Sequence, residues 1–231
     1  MILHILISRL LALSLWCFSR IFYRFEVSWV KTPPANVWKN IRVFAFLNHT
    51  SLLEPLFLGA FPPSFLWDAA SRTRVPGADK TMNRPIVGRF YKFFSPQTIS
   101  ISRKRDESWD LFLEGITPEV MVALAPEGRM MRANGLDSEG KPMSVRGGIA
   151  DILQKIGHGK MMLGYSGGLH HVNIPGQKKV KLFKKLQICF EIVEIAEYLQ
   201  NFNTEEKGAC RLQIARDLET RLAKYKPHPS A

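Results

Sequence analysis

The sequence predicts an α/β fold, with a mostly parallel central sheet flanked by helices and an N-terminal interfacial helical anchor. Short apolar runs typical of buried strands alternate with helical patterns along the chain, an order that favours a parallel sheet. The 231 residues are 46% hydrophobic and 23% charged, which allows a packed core and argues against a disordered chain. The net charge of +12 indicates an anionic partner, such as a membrane surface, a phosphorylated substrate or nucleic acid.

The first residues form the expected anchor. Eighteen residues of helix reach about 27 Å, close to the thickness of a bilayer core. Arg9 lies in the middle of this stretch, where a bilayer centre would cost about 2.5–3.5 kcal/mol, and it shares a helix face with Arg20 and Arg24. This pattern favours a helix lying in the interface, with a single span and a core helix as alternatives. Two prolines end the helical pattern, so we divide the chain into a membrane-anchoring segment, 1–31, and a main domain, 32–231.

The main domain contains both kinds of pattern in alternation. Buried or alternating runs predict strands at 41–47, 64–70, 98–102, 120–125, 160–165 and 186–194. Helical patterns predict helices at 52–60, 85–93, 106–115 and 148–156. A last helix is expected from the capping pair Asn203 and Glu206 and from the apolar spacing of Leu212, Ala215, Leu218 and Leu222.

The cysteines and histidines give no sign of a metal or a disulfide framework. The three cysteines are widely spaced in apolar or helical contexts, which indicates buried thiols in a reducing compartment. His158, His170 and His171 match no zinc spacing and are expected to be ordinary loop histidines. We therefore expect no metal site.

A basic run precedes the last predicted strand and consists of Lys178, Lys179, Lys181, Lys184 and Lys185. Nucleic-acid binding would favour aromatic residues interleaved with the cations, and only Phe183 is present, so no nucleic-acid partner is expected. Anionic lipid fits at least as well, at about 1 kcal/mol per cation near the surface. A solvated turn between strands is the simpler alternative.

A histidine and a carboxylate follow the strand at 41–47. The stretch reads Asn48-His49-Thr50-Ser51-Leu52-Leu53-Glu54. A neutral histidine can take a proton from a hydroxyl that attacks a carbonyl, and a carboxylate on the other ring nitrogen fixes the tautomer. Such a site needs no protein nucleophile when the substrate brings its own hydroxyl. Taken alone, a histidine at a strand end is more often structural.

Two further strands end in charged residues. The strand at 120–125 leads into Pro126-Glu127-Gly128-Arg129, and the strand at 98–102 into Arg103-Lys104-Arg105. Ligands bind at the carboxyl ends of parallel strands, and arginine suits phosphate oxygens. Either cluster alone could equally be a solvated loop.

A competing motif is Gly164-Tyr165-Ser166-Gly167-Gly168, which fits the G-x-S-x-G elbow of serine hydrolases. That elbow requires a helix after the serine, with the acid and then the histidine later in the chain. No helical pattern follows Ser166, and the later histidines are badly placed. A serine hydrolase is therefore a minor alternative.

The order of these blocks resembles the glycerolipid acyltransferase family, whose bacterial member is 1-acyl-glycerol-3-phosphate acyltransferase. The resemblance spans about residues 40 to 175. The family carries N-H-x4-D, then an Arg-ending strand, then P-E-G-T-R. The matching stretches here are 48–55, Lys80, 84–88, 102–103, 124–129 and the basic-Gly stretch 145–148.

The sequence departs from the family pattern at three places. Glu54 replaces the family's aspartate, as in the H-x4-E of lipid A acyltransferases, which lack the Pro-Glu-Gly block. The third block has no threonine, so Arg129 or Arg132 takes the place of the family arginine. Gly164-Tyr165 stands where Pro-Val is usual.

The resemblance implies a membrane-associated O-acyltransferase of phospholipid biosynthesis on the cytoplasmic face. It would move an acyl chain from acyl-CoA or acyl-ACP, as co-substrate and without a cofactor, to a lysophospholipid hydroxyl such as that of lysophosphatidate. It implies His49 as general base and Glu54 as its orienting partner. The implied substrate-binding residues are Lys80 and Arg103 on the acceptor's phosphate, with Glu127, Gly128 and Arg129 shaping the site. A non-catalytic lipid-binding protein of the same fold is the main alternative.

Overall fold

The computed structural model describes residues 2–102, 105–177, 179–203 and 205–228. The strands are β1 (Arg24–Trp29), β2 (Ile41–Leu47), β3 (Thr73–Arg74), β4 (Pro76–Ala78), β5 (Ile99–Ile101), β6 (Met121–Leu124), β7 (Lys160–Ser166) and β8 (Lys185–Glu194). The helices are α1 (Ile2–Phe22), a 3-10 helix (Glu54–Ala60), α2 (Pro63–Arg72), α3 (Asp79–Met82), α4 (Pro85–Phe94), α5 (Glu107–Glu114), α6 (Gly148–Ile156), α7 (Ile195–Gln200) and α8 (Lys207–Tyr225).

Six strands form the central sheet in the order β1-β8-β7-β2-β6-β3. Every neighbouring pair is parallel except β7 and β8, which run antiparallel. The predicted α/β fold with a mostly parallel sheet is thus confirmed. The strand predicted at 98–102 is β5, but it pairs with β4 in a separate two-stranded sheet.

Helices cover both faces of the central sheet. On one face, α5, α6, α7 and α8 pack over an apolar core that includes Phe112, Ile149, Leu163 and Leu218. On the other face, the 3-10 helix and α2 bury Phe57 and Phe65 against β2 and β8, and α1 packs outside them. The carboxyl ends of β2, β6 and β7 therefore meet at one edge between two helical layers.

The strand predicted at 64–70 is wrong, because this segment lies in helix α2. Phe65, Leu66 and Ala69 are buried together, a spacing that suits one helix face and not the alternation of a strand. Pro63 occupies the first turn, where its missing N–H costs nothing. The predicted helix at 52–60 is a 3-10 helix that begins at Glu54.

The first helix ends earlier than the 31 residues of the expected anchor. It stops at Phe22, and the following residues, whose polar and apolar side chains alternate, form strand β1 at the edge of the sheet. The face that α1 turns to the domain carries Ser8, Ala12 and Ser19, which are its buried residues. Leu15, Trp16 and Phe22 also pack against the core, while other large apolar side chains of α1, such as Leu3 and Ile21, are exposed.

Candidate active site

The turn after β2 is built around Asn48. Its φ of 69° lies in the left-handed region, which asparagine tolerates better than most residues. Its backbone N–H donates to Oε1 of Glu127 at 2.7 Å, and its side-chain amide donates to the carbonyl of Ser166 at 2.7 Å. Because Glu127 follows β6 and Ser166 ends β7, one asparagine ties three strand ends together and directs His49 out of the sheet.

His49 and Glu54 are brought into direct contact. Nδ1 of His49 donates to Oε2 of Glu54 at 2.5 Å. The other carboxylate oxygen accepts the backbone N–H groups of Thr50 at 2.7 Å and Ser51 at 3.3 Å, so the carboxylate is held at the start of the 3-10 helix. With the Nδ1 proton directed to Glu54, Nε2 is the basic nitrogen. Within the described residues, Nε2 makes no hydrogen bond.

The same turn is fixed from two loops. The carbonyl of His49 accepts the N–H of Met131 at 2.7 Å, and Oγ1 of Thr50 accepts the N–H of Leu169 at 2.8 Å. These bonds hold the histidine backbone between the loops that follow β6 and β7. A base held by its scaffold in this way needs little rearrangement to act.

Glu127 is a second acidic group at the site. It is 2% exposed, and its Oε2 has no hydrogen-bond partner among the described residues. Burial raises the pKa of this carboxyl to about 7. Burial by itself lowers the pKa of His49, but the charge and hydrogen bond of Glu54, with a smaller effect of Glu127, outweigh it and leave the pKa raised.

The raised pKa of Glu127 predicts a pH-dependent stability. Native Glu127 binds its proton more tightly than the unfolded chain does, so the free energy of unfolding should fall as pH rises from about 4.5 to about 7. Glu127→Gln should reduce this fall by about 3 kcal/mol, since the amide retains an acceptor for Asn48 and cannot ionise. Urea unfolding of both proteins across this range measures the difference.

Part of the slope should survive in Glu127→Gln. The raised pKa of His49 acts in the same direction and removes stability above its ordinary pKa of 6.5. Superimposable curves for the two proteins below pH 6 would show that Glu127 does not titrate as described.

A cleft of about 320 Å³ opens beside His49. Asn48, His49 and Glu127 form its wall at the sheet edge. The rest is lined by the loop residues Met131, Met143, Ser144 and Val145, and by Glu219, Leu222, Ala223 and Lys226 from the end of α8 and just beyond it. A substrate in this cleft would lie in contact with the histidine.

Arg129 does not line this cleft. Its guanidinium pairs with Asp137, and the two side chains are only 9% and 0% exposed. Gly128, with a φ of 60°, provides the left-handed turn that carries the chain from Glu127 into this segment. The structure thus shows Arg129 holding the loop that follows β6.

Lys80 and Arg103, the two cations expected to bind the acceptor's phosphate, lie on later segments of the chain than His49. Lys80 is exposed on α3, two residues beyond Ala78, which pairs with Ile101 at the end of β5. Arg103 lies outside the described residues. The small sheet therefore places Lys80 near the strand that leads to Arg103.

Sequence reasoning missed one residue beside the pair. Tyr91 of α4 donates to the carbonyl of Leu52 at 3.4 Å, and its phenol pKa is raised by burial and by the charge of Glu54. The sequence marked α4 only as a helix, because nothing local shows which face meets the turn at 48–54. Tyr91 therefore lies near the carboxylate of Glu54.

Ser166 does not occupy a nucleophile elbow. It is fully buried, its Oγ accepts the N–H of Gly168 at 2.9 Å, and turns, not a helix, follow it. The nearby ring nitrogens of His170 and His171 bond instead to the carbonyls of Met131 and Lys185. These contacts argue against the serine hydrolase alternative.

The fold is similar to that of a solved acyltransferase. The crystal structure of the 1-acyl-sn-glycerophosphate (LPA) acyltransferase PlsC from Thermotoga maritima superposes with a TM-score of 0.55 at 16% identity, covering 95% of this chain and 83% of that one. No protein-family model matches the sequence, and no curated protein matches it. At this identity the likeness shows the fold, with its α/β sheet and N-terminal apolar helix.

Proposed function

We propose that this protein is a membrane-associated O-acyltransferase that transfers a fatty acyl chain from acyl-CoA or acyl-ACP to a lysophospholipid hydroxyl, with lysophosphatidate as the expected acceptor. The observation that carries the proposal is the 2.5 Å contact of His49 and Glu54 beside an open cleft at the sheet edge. Nε2 takes the proton of the acceptor hydroxyl as its oxygen attacks the thioester carbonyl. The tetrahedral intermediate then expels the thiolate, which receives that proton from the imidazolium.

The other site residues have supporting parts in this proposal. Glu54 fixes the tautomer of His49 and stabilises the imidazolium. We assign the acceptor's phosphate to Arg103 and Lys80, since cationic side chains suit phosphate oxygens. Glu127 and Gly128 shape the acceptor site, and Arg129 contributes through the loop that it holds to Asp137. The reaction requires no metal or cofactor in this proposal, because the thioester is already activated.

The outward face of α1 supports the membrane association. Leu3, Leu6, Leu10 and Ile21 are exposed, while the small residues of the helix face the domain. The helix is long and apolar enough to cross a membrane. It nevertheless contacts the domain at several points along its length, through Ser8 on the carbonyl of Phe93, Arg9 on that of Trp67 and Trp16 on that of Phe61. A helix attached lengthwise supports the interfacial arrangement.

Helix α4 lies beside α1 and extends this apolar surface. Ile86, Phe90 and Phe93 are exposed and recur at helical spacing, and the exposed Arg89 and Lys92 flank them. Aromatic and aliphatic residues beside cations are typical of a helix that lies on anionic lipid. We therefore propose an anionic membrane surface, on the cytoplasmic face, as the partner of α1 and α4.

The lysine loop before β8 supports the same surface. The N–H of Phe183 donates to the carbonyl of Phe22 at 2.7 Å, and the two rings lie 5.8 Å apart. Lys184 and Lys185 are therefore close to the end of α1, since the carbonyl of Lys184 accepts the N–H of Arg24 and Lys185 pairs with Glu26. Lys178 lies outside the described residues.

Ile86→Glu and Phe90→Glu should each weaken binding to phosphatidylcholine–phosphatidylglycerol vesicles by about tenfold or more, since each removes an apolar contact and adds a repelled charge. The matched control is Leu212→Glu on α8, because Leu212 is 52% exposed and lies far along the chain on another helix. Cosedimentation at low and high salt measures the effect. An equal loss of vesicle binding in all three variants would show that α4 contributes no more to this binding than α8 does.

The activity itself is tested with a panel of lysolipids, each incubated with the purified protein and either acyl-CoA or acyl-ACP. Mass spectrometry should show a diacyl product with at least one acceptor, and free thiol should appear only when that acceptor is present. Lysolipid binding with no product from any combination would instead favour the non-catalytic lipid-binding alternative.

A further inference from the structure

One face of the last helix forms the far wall of the cleft. Glu219, Leu222, Ala223 and Lys226 line it at positions i, i+3, i+4 and i+7. The distance along the axis from the first to the last is about 10 Å. The wall therefore runs as a continuous strip beside the histidine.

The strip is charged at its two ends and apolar between them. Glu219 accepts the N–H of Val145 at 2.8 Å. This bond connects α8 to the loop that forms another part of the cleft wall. Leu222 and Ala223 follow, facing the cleft with Met131 and Met143. Lys226 is the last residue of the wall, and it forms no ion pair with any residue that the structure describes. An apolar channel thus ends at a cation.

The cleft lies on the opposite side of the sheet from the apolar surface of α1. Helix α8 packs with α6 over the core that contains Ile149 and Leu218, whereas α1 packs with α2 and the 3-10 helix over the other face. His49 lines the cleft and is reached from the α8 side. The cleft therefore lies on the face of the sheet away from the surface that we propose for the membrane.

We propose that this cleft binds the 4′-phosphopantetheine arm of the thioester donor, an inference that rests on the proposed acyl transfer. The arm is an uncharged chain with two amides, and it carries the thioester at one end and a phosphate at the other. Its ends therefore suit His49 and Lys226, and both polar and apolar residues of the cleft lie along it. The thioester carbonyl lies by Nε2 of His49 and the phosphate by Nζ of Lys226. The same arm is present in acyl-CoA and in acyl carrier protein, so one cleft serves either donor.

Two variants test the proposal. Ala223→Trp fills the channel from an exposed position of α8, and Lys226→Glu reverses the charge at its end. Each should raise the Kd of decanoyl-CoA or of decanoyl-ACP by about tenfold or more, measured by calorimetry without acceptor. Leu212→Trp is the matched control, since Leu212 is exposed on the same helix and does not line the cleft.

Loss of binding for one donor in both cleft variants supports the proposal and identifies the carrier. Unchanged binding of both donors overturns it, as does failure of the wild-type protein to bind either. In steady-state kinetics the donor KM should rise while the lysolipid KM stays unchanged, and a rise in the lysolipid KM alone would assign the cleft to the acceptor. Donor binding that depends on Ala223 and Lys226 without any acyl transfer would refute the proposed activity and leave the binding site standing.

Discussion

Replacing His49 by alanine should lower kcat/KM for acyl transfer by about 10²–10⁴-fold, the usual contribution of a general base. Nε2 is the proton acceptor in the proposed reaction, and no other described histidine lines the cleft. Initial rates with the acceptor found in the lysolipid panel measure the loss, and unchanged thermal unfolding shows that the fold survives. His171→Ala is the control, because that exposed ring does not line the cleft and, among the described residues, bonds to the carbonyl of Lys185.

The pH profile gives a second readout of the same residue. Only neutral imidazole can accept the proton, and the pKa of His49 is raised by Glu54 despite its burial. The rate should therefore rise with pH, with a midpoint above the ordinary histidine pKa of 6.5. Glu54→Gln should lower the rate and move this midpoint down, since the amide cannot stabilise the imidazolium by charge. Wild-type activity in His49→Ala would end the assignment of the base.

Asp137→Ala should destabilise the protein by about 3–5 kcal/mol, because it leaves the guanidinium of Arg129 buried without its counter-charge. Asp137 is fully buried, and it also accepts the backbone N–H groups of Glu139 and Lys141, at 2.8 and 2.9 Å. Chemical denaturation measures the loss of unfolding free energy. Arg129→Met should cost less, since the carboxylate of Asp137 that it leaves unpaired still accepts the backbone N–H groups of Glu139 and Lys141.

The matched control for this prediction is Lys141→Ala. Lys141 pairs with Glu139 at 3.0 Å, and both side chains are largely exposed, so the change should cost less than about 1 kcal/mol. If Asp137→Ala and Lys141→Ala were equally mild, the pair of Arg129 and Asp137 would contribute little to the loop after β6.

The sequence was most informative where the interacting residues are close in the chain. His49 and Glu54 are five residues apart across one turn, so their contact follows from local geometry once the strand at 41–47 is recognised. The parallel sheet likewise follows from alternating strand and helix patterns. The error at 64–70 arose because a short apolar run suits either element, and the buried helical stripe of α2 is defined only by what it packs against.

Contacts between distant segments could not be predicted. In the sequence, Asp137 stands in a polar stretch, which indicates an exposed loop residue. In the structure it is the buried partner of Arg129. Leu222 fits the apolar spacing of a core stripe, but it lines the cleft, more than 170 residues away from His49. The composition of α1 indicates an apolar environment. It does not show which side of the helix packs on the domain, and in the structure that side carries the small residues.

The pairing of β1 with β8 has a consequence for the order in which the chain assembles. Arg24 is in register with Lys185, so β1 must wait for a strand translated about 160 residues later. The helices against which α1 packs, up to Phe94, leave the ribosome long before that partner exists, and only the end of α1 meets a late residue, Phe183, among the contacts described above. If α1 and α4 bind a membrane as proposed, they can do so during synthesis, while the sheet is still incomplete. Nascent chains released before residue 185 should therefore sediment with vesicles and remain sensitive to protease at β1.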